Sequence, residues 1–84
     1  MRRPQTLVEV AEWSEDRRAF SYNLADFLDQ FHLERRPEML TDEPPRLADK
    51  IEDGAVADAY LAATAVSLAR LIKAIPPRWV WQEN

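Results

Sequence analysis

Polar side chains recur at three-residue intervals in residues 55–75, at Asp58, Thr64, Ser67, Arg70 and Lys73. The positions between them are almost all apolar or alanine. An α-helix turns about 100° per residue, so this spacing moves the polar row back by roughly 60° at each step. The segment therefore predicts a long helix without a polar side, which must be covered by its own fold or by a second chain. A lone chain with a broad side of this helix exposed would count against a binding role.

The clearest amphipathic pattern lies in residues 15–34. Large apolar side chains recur there at three- and four-residue steps, at Phe20, Leu24, Phe27, Leu28 and Phe31. Ser14 and the two acids after it are typical of a helix start, because a hydroxyl accepts free N–H groups and acids stabilise the positive end of the dipole. Pro37 disfavours helix at the residue before it. These signals predict a helix over residues 15–34.

A capping box precedes a short first helix. Thr6 and Glu9 have the spacing at which a hydroxyl and a carboxylate satisfy each other's free backbone N–H groups. A helix over residues 7–13 follows, either separate or continuous with the next one.

Prolines define the middle of the chain. Residues 36–45 hold three of them and predict a loop. Proline is favourable at the first helical position, so Pro44 and Pro45 predict a third helix over 46–53 that ends at Gly54 in a left-handed conformation. One continuous helix over 45–75 is the alternative, in which Gly54 costs about 1 kcal/mol relative to alanine.

Two prolines end the long helix, and residues 76–84 predict an extended arm. In an extended segment Trp79 and Trp81 point to opposite sides, so that one covers the core and the other is left for a partner. The alternative is that both fold back over the core near Trp13.

These elements predict an all-α fold, a three- or four-helix bundle with an extended C-terminal arm, in one domain over residues 1–84. Residues 15–34 and 55–75 are expected to form its antiparallel pair. The alanines of the long helix indicate either helix propensity or close helix–helix approach. The predicted core consists of Leu7, Val10, Trp13, Phe20, Leu24, Phe27, Leu28, Phe31, Leu47, Ile51, Tyr60, Val66, Leu68, Leu71 and Ile75.

Composition and charge narrow the function. The 84 residues include no cysteine, so disulfides and thiolate metal sites are excluded, and oligomerisation is the remaining route to a larger core. A net charge of −4, with arginine pairs that form no continuous stripe, argues against nucleic acid. Charged residues within 55–75 would be costly in lipid, and no signal-peptide pattern opens the chain, so we predict no membrane contact and a cytoplasmic location.

Chemical motifs are missing. His32 is the only histidine, so no histidine pair can hold a metal, and there is no nucleophile elbow or phosphate-binding glycine loop. The carboxylates around Gly54, including Asp58, are interpreted as a solvated surface. We therefore predict no enzyme, and no catalytic, cofactor-binding or metal-binding residues.

Three segments carry a resemblance: residues 42–45 (Asp-Glu-Pro-Pro), residues 58–63 (Asp-Ala-Tyr-Leu-Ala-Ala) leading to Leu68 and Ala69, and residues 76–80 (Pro-Pro-Arg-Trp-Val). Together they resemble a group of small uncharacterised bacterial helical proteins that accompany toxin–antitoxin-type genes. The resemblance implies a partner-binding or neutralising role instead of catalysis.

The sequence thus predicts a non-enzymatic protein–protein interaction module, antitoxin-like or an operon accessory, that binds a protein partner or forms a homodimer through the 55–75 helix and the tryptophan arm. The predicted partner-binding residues are Tyr60, Arg78, Trp79 and Trp81. The alternative is a small-molecule-binding regulatory protein with an apolar cavity between helices, lined by Phe27, Phe31, Tyr60 and Trp13.

Overall fold

The fold is all-α in the computed structural model, which describes residues 2–82, and this confirms the predicted class. No strand occurs among these residues. Glu83 and Asn84 of the predicted arm lie outside the described residues. The elements are α1 (Leu7–Glu12), α2 (Arg17–Glu34), α3 (Glu38–Thr41), α4 (Gly54–Leu71) and a C-terminal 3-10 turn (Arg78–Trp81).

The start of α1 confirms half of the predicted capping box. The Thr6 hydroxyl accepts a hydrogen bond from the Glu9 N–H at 3.1 Å. The Glu9 carboxylate accepts from the Gln5 N–H at 2.7 Å, one residue before the expected donor. Because both side chains bind free N–H groups, the helix begins where the sequence indicates.

Ser14 is not the cap of α2, and this prediction was wrong. Asp16 caps the helix instead, with its carboxylate accepting from the Ala19 N–H at 2.7 Å. The buried Ser14 hydroxyl donates to the Val10 carbonyl oxygen at 2.5 Å and so satisfies the end of α1. Asp and Ser are about equally good caps. Because the Ser14 hydroxyl is bound to the Val10 carbonyl oxygen at the end of α1, Asp16 caps α2.

The predicted third helix over 46–53 is wrong, because these residues form turns. The short helix α3 lies instead inside the predicted loop and buries Met39 and Leu40. Gly54 does not end a helix but begins α4, and the left-handed residue is its neighbour Asp53, with φ 58°.

The turn over residues 47–53 connects two helices. The Lys50 ammonium donates to the carbonyl oxygens of Ala11 and Glu12, both at 3.2 Å, at the end of α1. Cations are favourable at the negative end of a helix, and the ammonium adds to the Ser14 N–H that the Ala11 carbonyl oxygen already accepts at 3.3 Å. On its other side the turn meets α4 through the buried carboxylate of Asp58, which was expected to be solvated.

Helix α4 has one buried side, so of the two predicted alternatives, cover by its own fold or by a second chain, the first is not met. Its opposite side is exposed and carries Val56 and Tyr60 among several alanines. An exposed alanine leaves only one methyl group in water, and the pattern overstated how much of this helix needs cover. The buried residues are Gly54, Ala57, Asp58, Leu61, Ala65, Leu68 and Ala69.

A Schellman motif ends α4 before the predicted residue 75. The Ala74 N–H donates to the Ala69 carbonyl oxygen at 2.8 Å. The Lys73 N–H donates to the Arg70 carbonyl oxygen at 3.1 Å, and Lys73 is left-handed, with φ 58°. Ile75 therefore lies beyond the helix and is 93% exposed instead of forming core.

The N-terminal ends of α2 and α4 are neighbours, so the predicted antiparallel pair is wrong. The Arg17 guanidinium, at the start of α2, lies 2.7 Å from the Asp53 carboxylate, just before α4. In an antiparallel pair the start of one helix would lie beside the end of the other. The connection over residues 35–53 can span about 60 Å and α2 is only about 27 Å long, so the chain returns to the starting end before α4 begins.

The core agrees with the prediction on α1 and α2 and departs from it on α4. Eight predicted residues are buried: Leu7, Val10, Phe20, Leu24, Phe27, Phe31, Leu47 and Leu68. Four are partly buried: Trp13, Leu28, Ile51 and Val66. Tyr60, Leu71 and Ile75 are exposed. The buried residues that the prediction missed include Ala11, Met39, Leu40, Ala57, Leu61, Ala65 and Ala69.

Candidate functional site

An apolar groove of about 400 Å³ lies between α2 and α4. It begins at the Arg17–Asp53 ion pair and follows the first halves of the two helices. Its lining residues are Arg17, Phe20, Ser21, Leu24, Ala25, Leu28, Asp53, Val56, Ala57 and Tyr60.

The α2 side of the groove combines an apolar floor with a low wall. Phe20 and Leu24 form part of the floor, and both belong to the buried stripe of α2. Ser21 and Ala25 lie one helical step further out and are exposed. Because these two side chains are small, this wall leaves room for a side chain that enters from outside.

The α4 side of the groove is a raised rim. Val56 and Tyr60 are one helical turn apart and lie on the same side of α4, above the buried Ala57. Val56 is 64% exposed and Tyr60 is 59% exposed. Two large apolar side chains are therefore open to water next to an apolar recess.

One ion pair closes the end of the groove. The Asp53 carboxylate accepts a hydrogen bond from the Arg17 guanidinium, and this bond, followed by the charge of Glu52, raises the pKa of Arg17 above its usual value. The Arg17 guanidinium therefore carries its positive charge at all ordinary pH values. Both side chains are mainly exposed, so the pair contributes little to stability.

The four predicted partner-binding residues do not come together. Tyr60 lies at the rim of the groove, and the other three belong to the C-terminal 3-10 turn on the opposite side of α4. There a second cleft of about 420 Å³ separates Trp79 and Val80 from the alanines of α4. Arg78 is exposed, Trp79 is half-buried and Trp81 is 66% exposed.

The arm was predicted to be extended, but residues 78–81 form a 3-10 turn. The Val80 N–H donates to the Pro77 carbonyl oxygen at 3.3 Å, and the Gln82 N–H donates to that of Trp79 at 3.2 Å. The Trp79 indole N–H donates to the Leu40 carbonyl oxygen at 3.0 Å. Because Trp79 packs against the core and uses its only donor there, the segment turns towards the fold.

Replacing Trp79 with phenylalanine is expected to lower the free energy of unfolding by about 1 kcal/mol or more, because the Leu40 carbonyl loses its donor. Trp81→Phe is the matched control and should change it by no more than about 0.5 kcal/mol, as for other exposed sites. Urea unfolding followed by circular dichroism measures both. Equal effects would contradict the structural role of Trp79.

The predicted ligand cavity is not formed by the residues proposed for it. Phe27 and Phe31 are fully buried in the core. Trp13 lies beneath the Arg2 guanidinium, with 5.1 Å between the guanidinium carbon and the ring centroid, and Tyr60 lies at the groove. Of the residues proposed, only Tyr60 lines the groove between α2 and α4.

The ionisable residues of the described chain form no metal cluster. No three His, Asp or Glu side chains within residues 2–82 are grouped so that they could hold a metal ion. His32 is exposed on α2, with its ring edge-on to that of Phe31. In the same part of the chain, no helix is both long and apolar enough to cross a membrane.

Most of this groove is not predicted by the sequence patterns. They indicate Tyr60 as a binding residue and Phe20, Leu24 and Leu28 as core, but neither Val56 nor the Arg17–Asp53 pair. The four-residue step from Val56 to Tyr60 was a usable signal for a shared side of one helix. Nothing in the sequence links Arg17 to Asp53, which are 36 positions apart.

Comparison with known proteins gives no match to a family model, a curated protein or a solved structure. The likeness to companions of toxin–antitoxin-type genes stays a prediction.

Proposed function

We propose that this chain is a non-enzymatic protein-interaction module that binds the apolar side of a helix in the groove between α2 and α4. One observation carries the proposal: Val56 and Tyr60 are exposed at the rim of an apolar recess. Paired helices with a recess between them are a common way to receive a third, amphipathic helix, whose side chains enter at three- and four-residue steps. Tyrosine is among the residues that most often dominate such interfaces.

The single chain leaves a broad side of α4 exposed, and this counts against a binding role for the helix as a whole. Most of the exposed side of α4 is alanine, which offers a partner little apolar area to bury. The part of α4 that supports partner binding is therefore the side that carries Val56 and Tyr60. Trp79 is no longer proposed as a contact, because its N–H is bound within the fold. Trp81 and Arg78 are exposed on the opposite side of α4 and remain proposed as a second contact.

An antitoxin-like or operon-accessory role, and a cytoplasmic location, belong to the same proposal. The sequence resemblance supports the antitoxin-like or operon-accessory role.

Photo-crosslinking in cells tests the proposal. We expect benzoylphenylalanine in place of Tyr60 to give a discrete polypeptide adduct on irradiation, because position 60 faces the bound helix. The matched control places it at Leu33, which is 74% exposed on the outer side of α2 and does not line the groove. No adduct at position 60, or the same adduct from both positions, would contradict a binding role for the groove.

A small apolar molecule is the second candidate ligand. The groove volume of about 400 Å³ favours it, because small-molecule sites typically measure about 300–1,000 Å³ and have mainly apolar walls. This candidate keeps the regulatory function predicted from the sequence but moves its site from the core to the groove.

A further inference from the structure

The groove carries both parts of a self-complementary contact. An interface between two copies related by a two-fold axis uses the same patch twice, so that patch must hold a protrusion and a matching recess. Here Tyr60 and Val56 protrude from α4, and the recess above Phe20 and Leu24 lies directly beside them. Small residues on the α2 wall leave this recess open to a side chain from outside.

The charges at the groove are also complementary to themselves. Its end carries one cation, Arg17, and one anion, Asp53. A second copy in a two-fold arrangement therefore meets both signs at this end, whereas the net charge of −4 by itself opposes the association of two copies. Leu71, at the C-terminal end of α4, is also exposed and apolar. It lies close in sequence to Arg70 and Lys73, whose like charges would repel the same residues of a second copy.

We propose that a second copy of this chain occupies the groove between α2 and α4, giving a two-fold symmetric dimer in which Tyr60 of each protomer lies between α2 and α4 of the other. This inference rests on the proposed function, since it names the partner of the same groove. The dimer covers Val56 and Tyr60 on both protomers, and it extends the core of a chain whose 84 residues leave a single core little margin of stability.

Molar mass in solution tests the dimer with the full chain. Light scattering and sedimentation over a dilution series are expected to show twice the chain mass of 9.8 kDa at high concentration and a fall towards 9.8 kDa on dilution. Val56→Lys places a charge in the apolar contact on each protomer, and the dissociation constant should rise about tenfold or more. The matched control Leu33→Lys adds the same charge outside the groove and should leave the dissociation constant unchanged.

A charge exchange gives a second test that a merely unfolded variant cannot imitate. Arg17→Asp leaves only acids at the end of the groove and should weaken the dimer. The double variant Arg17→Asp with Asp53→Arg restores one charge of each sign and should recover it. Both positions are exposed, so thermal unfolding of each variant should stay close to that of the parent.

Two results of these measurements would overturn the dimer. One is a monomeric mass at every concentration, and the other is a dimer that Val56→Lys weakens no more than Leu33→Lys does. A monomer whose Tm rises with an apolar compound would in addition favour the second candidate ligand. An adduct from position 60 to a different polypeptide would overturn the dimer but leave the proposed function standing, and no adduct at all would remove both.

Discussion

Gly54→Ala is expected to destabilise the fold by several kcal/mol, a large part of the roughly 5–15 kcal/mol that keeps a domain folded. A Cβ at this position would lie 1.7 Å from the Leu47 carbonyl oxygen and 2.8 Å from the Ala48 nitrogen. Both are backbone atoms, which cannot rotate away as a side chain can, so the turn over 47–53 would have to leave α4. Urea unfolding followed by tryptophan fluorescence measures the loss.

The sign of this change separates packing from helix propensity. Propensity alone predicts that alanine in a helix is better than glycine by about 1 kcal/mol. Gly54 has no positive φ, so the backbone conformation itself does not require glycine. Ala63→Gly on the exposed side of α4 is the control and should cost about 1 kcal/mol. A Gly54→Ala variant as stable as the parent would contradict the close contact with Leu47.

Asp58→Ala should have the second largest effect, a loss of about 2–5 kcal/mol, because it leaves two amides of the turn without an acceptor. The two carboxylate oxygens accept from the Leu47 N–H at 2.8 Å and from the Ala48 N–H at 3.1 Å. Asp58 is only 8% exposed, so water replaces these bonds poorly. Chemical unfolding followed by circular dichroism measures the change.

Two further variants isolate the hydrogen bonds of Asp58. Asn in place of Asp58 keeps one acceptor oxygen but turns an N–H donor towards the other amide. Its free energy of unfolding should therefore lie between that of the parent and that of Asp58→Ala, or close to that of Asp58→Ala. Asp49→Ala removes an exposed carboxylate from the same turn and should change stability by no more than about 0.5 kcal/mol. Equal losses in Asp58→Ala and Asp49→Ala would show that the turn does not depend on the buried carboxylate.

Local patterns predicted the elements whose signals lie within a few residues. The spacing from Phe20 to Phe31 describes α2 because large side chains mark its buried stripe directly. The pair Thr6 and Glu9 identified the start of α1 for the same reason, since a cap and its amide are three residues apart.

Alanine made the same method fail on α4. The pattern counted every alanine as apolar, and the exposed and buried sides of the helix became indistinguishable. The buried stripe is itself rich in alanine, at Ala57, Ala65 and Ala69, and it includes the carboxylate of Asp58. Which alanines are buried depends on where the turn and the C-terminal segment pack, and this is tertiary information.

The turn and the groove depend on contacts between distant parts of the chain. From sequence, Gly54 was predicted to end the helix before it. In the structure its missing side chain makes room for the backbone of Leu47 and Ala48. The groove arises because the starts of α2 and α4 meet, and no local signal in residues 35–53 specifies that the chain returns to this end.

Two of the bonds that hold the molecule together join residues 39 positions apart, Lys50 to Ala11 and Trp79 to Leu40. Each bond forms only after a long loop has closed, and closing that loop costs conformational entropy. Loop closure therefore slows folding even when the helices themselves form fast. We therefore expect this all-α chain to fold more slowly than a helical bundle whose helices are joined by short hairpins.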